Sequence, residues 1–465
     1  MRLYRYRNIK NALLELEKGT FYFANYKELN DPIEGYMRVY WQGDKYAWEG
    51  LFKNYICSLF NALLYYYISD NEYYIDSKQD FENAVKKVGI ILDLNRFNNV
   101  TFGKIFQKLY EKFLKNEFVQ RIICFCSDNK KIFSKHIKLF FLFIHKIALY
   151  ICLEEIKKYI NIDLYELKLL EEFCHNIGYF INFEQLNIIY EDDKSHIDFL
   201  NSFCKSEIEN IFLKLFSTDS DLYKKRRYRH YYSVRDEFPN IYIEKLRDII
   251  YPDGHIVCFS KNSDNSSMWG NYADNHKGIC FIYETKNIDN KEVIPVEYFK
   301  IDIKPVKYEN NLIERNFFLS LGRLTLQQIN TWLSGINPNE LSDLLHDYLS
   351  IREGKIEENK WRNEYWKNFE EIFFRKMIDW KYESEYRMLM ADSLHELKDK
   401  TKRVKQYDKE CLKGIIFGIR TNIEDKMNLI EKIRNLGKNI KEFEFYQASY
   451  DEEDKKIILN RLYYE

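Results

Sequence analysis

Two acidic residues that stand two positions apart, Glu383 and Glu385, are the first candidates for chemistry. The block from 379 to 390 alternates aromatic or apolar residues with charged ones, which predicts a strand carrying both carboxylates on one face with Lys381 and Arg387. Such carboxylates lie about 7 Å apart, close enough for like charges to raise one pKa. The arrangement suits catalysis, but the pattern alone favours a solvated strand in which Lys381 and Arg387 neutralise both acids.

A second candidate lies near the start of the chain, where Tyr4-Arg5-Tyr6-Arg7 alternates aromatic and basic residues. On a strand, Arg5 and Arg7 share one face, and two guanidiniums there could hold a phosphate or a ribose through forked hydrogen bonds. The structural alternative, which the spacing alone favours, is a terminal edge strand with a charged and solvated face.

The block from 258 to 274 is denser in polar groups. We predict a strand that ends at Ser260, then a polar loop, and then a short helix capped by Ser266 or Ser267. The N-terminus of a helix that follows a strand is a natural anion site.

Three ring side chains belong to the same region. Trp269 and Tyr272 fall on one helical face, where they could stack on a flat ligand ring, although inward packing is the commoner fate of such a pair. His276 could serve as an acid, a base or a ligand. No Cys, His or Asp stands at ligand spacing from it, and the sequence contains no convincing metal site.

Two further motifs have mainly structural interpretations. Asn30-Asp31-Pro32-Ile33-Glu34 predicts a tight turn whose side chains bond the backbone, with Asp31 or Glu34 lining a site as the alternative. The basic run from 224 to 230 could grip a nucleic-acid backbone, but a solvated helix face beside neutralising acids is favoured.

The elements that must position these residues divide the chain into three parts. Pro32 and Pro239 bracket a long segment without proline, and its spacing predicts helices, so residues 51–245 form a helical insertion. Residues 1–50 and 246–465 together predict an α+β domain with a mixed sheet. Its predicted strands are Gly19–Ala24, His255–Ser260, Gly278–Glu284, Glu292–Tyr298 and Gly414–Gly418, and its predicted helices are Ile9–Lys18, Leu312–Leu333 and Lys360–Lys376.

Composition excludes several classes of protein. The 465 residues carry 71 basic and 72 acidic side chains, so the chain lacks the profile of a polybasic binder. Nine scattered cysteines without framework spacing, and a charged start to the chain, predict a cytoplasmic protein with free thiols. The apolar stretch Leu139–Leu153 is too short to span a membrane and has His145 and Lys146 at its middle, so we expect a buried helix. The motifs of P-loop nucleotide hydrolysis, dinucleotide binding, α/β-hydrolases and zincins do not occur.

Taken in order, the blocks resemble the bacterial family known as domain of unknown function 2971. The resemblance covers the two flanks and not the helical insertion, so the role of the insertion is not implied by it. The residues that carry it are Tyr4-Arg5-Tyr6-Arg7, Asn30-Asp31-Pro32-Ile33-Glu34, Cys258-Phe259-Ser260, Met268-Trp269-Gly270-Asn271-Tyr272-Ala273, His276-Lys277-Gly278 and Trp380-Lys381-Tyr382-Glu383-Ser384-Glu385-Tyr386-Arg387.

The layout is also similar to the ADP-ribosyltransferase superfamily, which has a basic residue on an early strand, Ser or Thr on a middle strand and Glu on a late strand. Glu383-Ser384-Glu385 resembles the Glu-x-Glu variant of that pattern. The resemblance implies an ADP-ribosyltransferase-like fold and NAD as the substrate. Glu385 would then bind the ribose 2′-OH and stabilise an oxocarbenium-like ribose, and Glu383 would orient or deprotonate the acceptor.

The same resemblance implies the binding residues. Arg7 or Arg5 would anchor the NAD phosphate or the adenosine ribose, and Ser260 would support the strand of Glu385 or bond the nicotinamide ribose. Tyr272 or Trp269 would stack on nicotinamide. The implied cofactor-binding set is Arg5, Arg7, Ser260, Trp269, Tyr272 and His276, with Glu383 and Glu385 catalytic and no metal.

Three functions remain as hypotheses. The first is an NAD-dependent toxin or defence effector of the cytoplasm whose insertion recognises a protein or nucleic-acid acceptor, together with an antitoxin or another defence partner and no membrane. The second is a non-catalytic binding module whose charged residues are structural. The third is a Mg²⁺-dependent nuclease that uses Asp31, Glu34, Glu383 and Glu385.

Overall fold

The computed structural model separates the chain into two compact units. The first comprises residues 1–37, 252–313 and 366–465, and the second residues 38–251 and 314–365. Residues 314–365, which the predicted boundaries place in the α+β domain, belong to the second unit. The structure describes residues 1–68, 89–94, 101–128, 130–162, 164–180, 237–251, 254–337, 339–348, 351–352, 355–356, 358–392 and 396–464.

The secondary structure mixes helices and strands along the chain, which confirms the predicted mixed α and β composition. The helices are α1 (Ile9–Lys18), α2 (Lys45–Ile68), α3 (Thr101–Leu114), α4 (Glu117–Ser127), α5 (Ser134–Ile156), α6 (Leu164–Phe180), α7 (Phe238–Ile250), α8 (Ser266–Tyr272), α9 (Leu326–Trp332), α10 (Asp343–Tyr348), α11 (Glu358–Glu371) and α12 (Ile423–Asn435). The strands are β1 (Arg2–Arg7), β2 (Thr20–Tyr22), β3 (Ala24–Asn25), β4 (Met37–Trp41), β5 (Ile132–Phe133), β6 (Gly254–Ser260), β7 (Ile279–Glu284), β8 (Lys286–Ile288), β9 (Lys291–Val293), β10 (Ile303–Pro305), β11 (Lys307–Tyr308), β12 (Ile313–Asn316), β13 (Ile351–Arg352), β14 (Lys355–Ile356), β15 (Arg375–Lys376), β16 (Glu385–Ala391), β17 (Val404–Gln406), β18 (Leu412–Phe417), β19 (Glu444–Asp451) and β20 (Lys456–Leu462).

A nine-stranded mixed sheet organises the first unit. Its order is β10-β16-β6-β1-β7-β18-β19-β20, with β3 also paired to β6. Strand β1 therefore lies inside the sheet and is not the edge strand that its charged pattern allowed. The β18–β19 pair is parallel, while β1, β6, β7 and β16 pair antiparallel with their neighbours.

Helices pack on both faces of this sheet. One face packs against α1 and α12, with Leu16, Phe259 and Phe281 in its core. Helix α1 keeps its predicted bounds because Asn8 caps its first turn and Gly19 ends it in the left-handed conformation, at φ 61°. The other face is covered in part by the short helix α8, whose Trp269 is fully buried.

The second unit is built mainly from helices, of which α2 and α5 are buried along most of their length. The predicted buried stretch Leu139–Leu153 falls within α5 and is buried, which confirms that expectation. In its interior, Tyr55 and Nδ1 of His145 are hydrogen bonded at 2.7 Å, so a polar ring lies in the apolar core with a partner. Among the described helices, none is both long enough and apolar enough to cross a bilayer.

Several predicted elements have other bounds in the structure. The helix predicted at Leu312–Leu333 is wrong: this segment forms β12, a 3₁₀ helix at Phe318–Ser320 and the short α9, whose start is fixed by a capping box at Thr325. The helix predicted at Lys360–Lys376 ends at Glu371 in the structure. The last two residues of the predicted range, Arg375 and Lys376, form β15. The strand predicted at Glu292–Tyr298 is reduced to β9.

Candidate functional site

A cleft of about 630 Å³ opens in the sheet of the first unit where β1 and β6 diverge. These strands pair only at Tyr4 and Ser260, whereas β1 pairs with β7 along its whole length and β6 pairs with β16 over seven positions. Residues 4–7 of β1 and 256–260 of β6 line the opening, which we name the β1–β6 cleft. Its volume lies in the usual range of small-molecule sites, about 300–1,000 Å³.

Arg5 joins the two strands across the opening. Its Nη1 donates to the carbonyl oxygen of Cys258 at 2.7 Å, and its Nε donates to Glu15 at 3.2 Å. The guanidinium also lies over the rings of Phe21 and Phe259 and is almost fully buried. Burial raises the pKa of Glu15, although Arg5 and the hydroxyl of Tyr283 act against that rise. Arg5 therefore links β1 to β6 and to Glu15 of α1.

Arg7 lies on the same face of β1 but is more exposed than Arg5. Its Nε donates to Glu15 at 3.0 Å and its Nη1 donates to the carbonyl of Tyr6 at 3.3 Å, while 26% of the side chain stays exposed. The backbone at Gly278 can lie close to the backbone of Arg7 because glycine has no side chain. A Cβ at position 278 would lie 2.2 Å from the carbonyl oxygen of Arg7. Arg7 is thus the arginine of this pair that can take a ligand anion.

Ser260 fixes the backbone next to both candidate acids. Its hydroxyl donates to the carbonyl of Glu383 at 2.7 Å and accepts from the amide of Asn262 at 3.1 Å. The amide of Lys261 also donates to the carbonyl of Ser384 at 2.9 Å. Of the two roles that the resemblance implies for Ser260, these bonds favour support of the segment that carries Glu385.

The segment around Glu383 differs from the predicted strand. Residues Ile378–Glu383 form a 3₁₀ helix, and the strand begins only at Glu385, so the predicted strand from 379 to 390 is wrong in its first half. Ser384 between them is left-handed, at φ 45° and ψ 51°. Both carboxylates still reach one cluster, because they contact the same ammonium group, that of Lys376.

Five buried charged residues form what we name the charge cluster: Glu34, Lys376, Glu383, Glu385 and Arg387. Arg387 donates through Nε and Nη2 to the two oxygens of Glu385, at 2.9 and 2.7 Å, and also contacts Glu34. The solvated strand that the pattern favoured is therefore not observed. Arg387 neutralises an acid as expected, but in the interior, and the lysine involved is Lys376, while Lys381 is exposed.

The cluster gives its two central acids different pKa values. Burial would raise the pKa of Glu385, but Arg387 and Lys376 outweigh it and lower this pKa to about 2. Burial raises the pKa of Glu383, and Lys376 only partly opposes that rise. The carboxylate of Glu383 accepts from Lys376 and from the hydroxyl of Tyr272, both at 2.6 Å.

The remaining predicted ring residues do not line the β1–β6 cleft. Trp269 is buried against Tyr6, with ring centres 5.1 Å apart, and its Nε1 donates to the carbonyl of Ser263. The ring of His276 stacks on Trp269. Inward packing, the commoner fate, thus describes Trp269, whereas Tyr272 of the same helix does line the cleft.

The turn at Asp31 has its predicted form, whereas the predicted cap of α8 is wrong. Asp31 accepts from the amide of Ile33 at 2.9 Å, as expected of a tight turn, while Glu34 lines the cleft. Asn265, and neither Ser266 nor Ser267, caps α8.

No set of three or more His, Cys, Asp or Glu side chains suited to a metal ion is found within the described residues. The basic run from 224 to 230 lies outside the described residues.

Sequence reasoning missed two members of this site. Glu15 is one polar position on the face of α1 that turns to the core, and its approach to the arginines of β1 could have been inferred from a neighbouring strand and helix. Lys376 comes after a helix, on a two-residue strand, and nothing in its local pattern marks it.

Comparison of the chain with family models, with curated proteins and with solved structures yields no match.

Proposed function

We propose that the protein consumes NAD and transfers its ADP-ribosyl group to an acceptor. The observation that carries this proposal is convergence: Arg7, Ser260, Tyr272, Glu383 and Glu385 line one cleft although they come from three separate blocks of the sequence. A purely structural role of these charges would not require them to line a cavity.

The state of Glu385 suits the cleavage step. When the bond between nicotinamide and ribose breaks, its electron pair leaves with nicotinamide and the ribose gains positive charge. Because its pKa is about 2, Glu385 stays ionised near neutral pH and can stabilise that charge. Each of its oxygens accepts one bond from Arg387, which leaves a lone pair for the ribose 2′-OH.

Glu383 suits the transfer step. The acceptor forms a new bond to the ribose carbon and must lose a proton, and a carboxylate of raised pKa is the better proton acceptor of the two. Tyr272 lies against Glu383 at the cleft and can present its ring to nicotinamide. Arg7 would hold the pyrophosphate.

The other hypotheses have less support from the geometry. For a Mg²⁺ nuclease, Glu34, Glu383 and Glu385 would have to bind a divalent cation where the ammonium of Lys376 already lies, 2.6 to 3.6 Å from their oxygens. The proposal also includes an acceptor, protein or nucleic acid, that the helical insertion recognises. It further includes action as a toxin or defence effector together with a partner.

The test is nicotinamide release from NAD by the purified protein, with and without cell lysate as a source of acceptor. We expect release that Glu385→Gln lowers at least a hundredfold. The matched control is Glu444→Gln, because Glu444 also binds an arginine through both oxygens on the same sheet but lies outside the cleft. No release by the unmodified protein, or equal loss in both variants, would refute the proposal.

A further inference from the structure

We infer that Lys376 is a positioning residue for Glu383, the proposed base that deprotonates the acceptor: it favours the ionised form of Glu383 and fixes it in the β1–β6 cleft, so that loss of Lys376 disables Glu383 but not Glu385. The inference rests on the proposed function, and it assigns a role that the Arg, Ser and Glu pattern of the sequence does not contain.

The contacts of Lys376 are unequal. Its Nζ lies 2.6 Å from Glu383, which is a direct hydrogen bond, but 3.5 Å from Glu34 and 3.6 Å from Glu385, which are ion-pair distances only. The ammonium also lies 4.6 Å from the ring centre of Trp380, on the 3₁₀ helix that ends in Glu383. Lys376 therefore binds both the carboxylate and the segment that carries it.

Arg387 shows the complementary preference. It donates two hydrogen bonds to Glu385 and one to the carbonyl of Phe373, and it contacts Glu34. Of Glu383 and Glu385, Arg387 bonds only Glu385, and its Nη2 also contacts Glu34 closely. Each of the two proposed functional carboxylates thus has its own cation, with Glu34 shared between them.

This division determines the effect of removing Lys376. The charged and titratable groups that face its ammonium are Glu34, Glu383, Glu385, Arg387, Tyr308 and Tyr382. Without the ammonium, Glu383 keeps its burial and the repulsion of Glu385 but loses its main counter-charge, so its pKa rises further and its protonated form is favoured. A protonated Glu383 cannot take the proton that the acceptor nucleophile must lose. Glu385 retains Arg387 and stays ionised.

The test compares Lys376→Gln, Lys376→Arg and the double variant Lys376→Gln/Glu383→Gln. In the pH profile of NAD turnover, we expect the acid limb of Lys376→Gln to lie at least one pH unit above that of the unmodified protein, and Lys376→Arg to restore it. An unchanged acid limb in Lys376→Gln would overturn the inference.

A second readout needs no turnover. In calorimetry, the deficit in Tm of Lys376→Gln should grow from pH 5 to pH 8, because its Glu383 resists ionisation in the folded state only. In the Glu383→Gln background this growth should be smaller, because only Glu34 and Glu385 then respond to the lost ammonium. The double variant replaces the ion pair by two amides. It can therefore be measured even where Lys376→Gln alone does not fold. If the unmodified protein releases no nicotinamide, the proposed function fails, and the calorimetric cycle still decides whether Lys376 controls the charge of Glu383. Equal pH dependence with and without Glu383 would reject that control.

Discussion

Replacing Arg387 by Met should destabilise the first unit far more than replacing Arg2 by Met. Both arginines bind a glutamate through two hydrogen bonds on the same sheet: Arg387 binds Glu385 at 2.9 and 2.7 Å, and Arg2 binds Glu444 at 3.0 and 2.6 Å. They differ in exposure, since 1% of the Arg387 side chain and 45% of the Arg2 side chain are exposed. The pair of variants therefore compares a buried arginine, which also bonds the carbonyl of Phe373 and contacts Glu34, with a half-exposed one.

The expected magnitudes depend on the groups that each change leaves behind. Without Arg387, three buried carboxylates face the single ammonium of Lys376, and breaking a buried pair in this way costs about 3–5 kcal/mol. Without Arg2, Glu444 is left near water, and an exposed pair contributes about 1 kcal/mol or less. At roughly 2–4 °C per kcal/mol for a unit of this size, Arg387→Met should lower Tm by about 10 °C and Arg2→Met by a few degrees at most.

Differential scanning calorimetry at pH 7 is the suitable assay, because it can resolve the transitions of two units. The deficit of Arg387→Met should also shrink at lower pH, where the carboxylates left without a counter-charge take up protons. Deficits in Tm that agree within 2 °C for the two variants would show that the buried fork does not stabilise the unit, and would refute the reasoning.

Three further predictions concern the cleft. Arg5→Met should lower Tm by several degrees because it leaves Glu15 buried and removes the bond to β6. Arg7→Met should change Tm little but weaken NAD binding at least tenfold. Scanning calorimetry measures the first effect and titration calorimetry the second. The pKa of Glu385 is lowered from 4.5 to about 2, so its ionised form stabilises the fold above pH 4.5, and the Tm advantage of the unmodified protein over Glu385→Gln should be lost as pH falls between these values. Gly278→Ala should cost about 1–3 kcal/mol in urea unfolding, since the new Cβ meets the backbone of Arg7, and an unchanged midpoint would contradict the close approach.

Elements with a clear local signal could be predicted from the sequence. The helix at Ile9–Lys18 has apolar residues at helical spacing between a capping Asn8 and Gly19, and the structure has the same bounds. The strands β6 and β7 are short apolar runs bounded by turn residues, and they too lie where they were predicted. Such signals depend on neighbours in sequence only.

The site could be predicted only in part, because its key contacts join distant residues. The alternation around Glu383 matches a strand, but a serine in the left-handed conformation has no mark in the sequence, and it places the start of the strand at Glu385. The alternation did place Arg387 on the face of the acids, yet it could not show that this face is buried. Lys376 reaches Glu383 through tertiary packing alone, so no periodicity reports it.

The charge cluster explains how two carboxylates separated by one residue can have different tasks. Glu385 accepts two bonds from a guanidinium that is itself held by the carbonyl of Phe373, so its negative charge is fixed. Glu383 accepts one bond from an ammonium and one from a phenol, in a place where burial favours its neutral form. Environments that separate the pKa values of two acids in this way suit one acid for electrostatic stabilisation and the other for proton transfer. These are the two properties that the proposed transfer of ADP-ribose would require, the first for cleavage of the bond to nicotinamide and the second for attack by the acceptor.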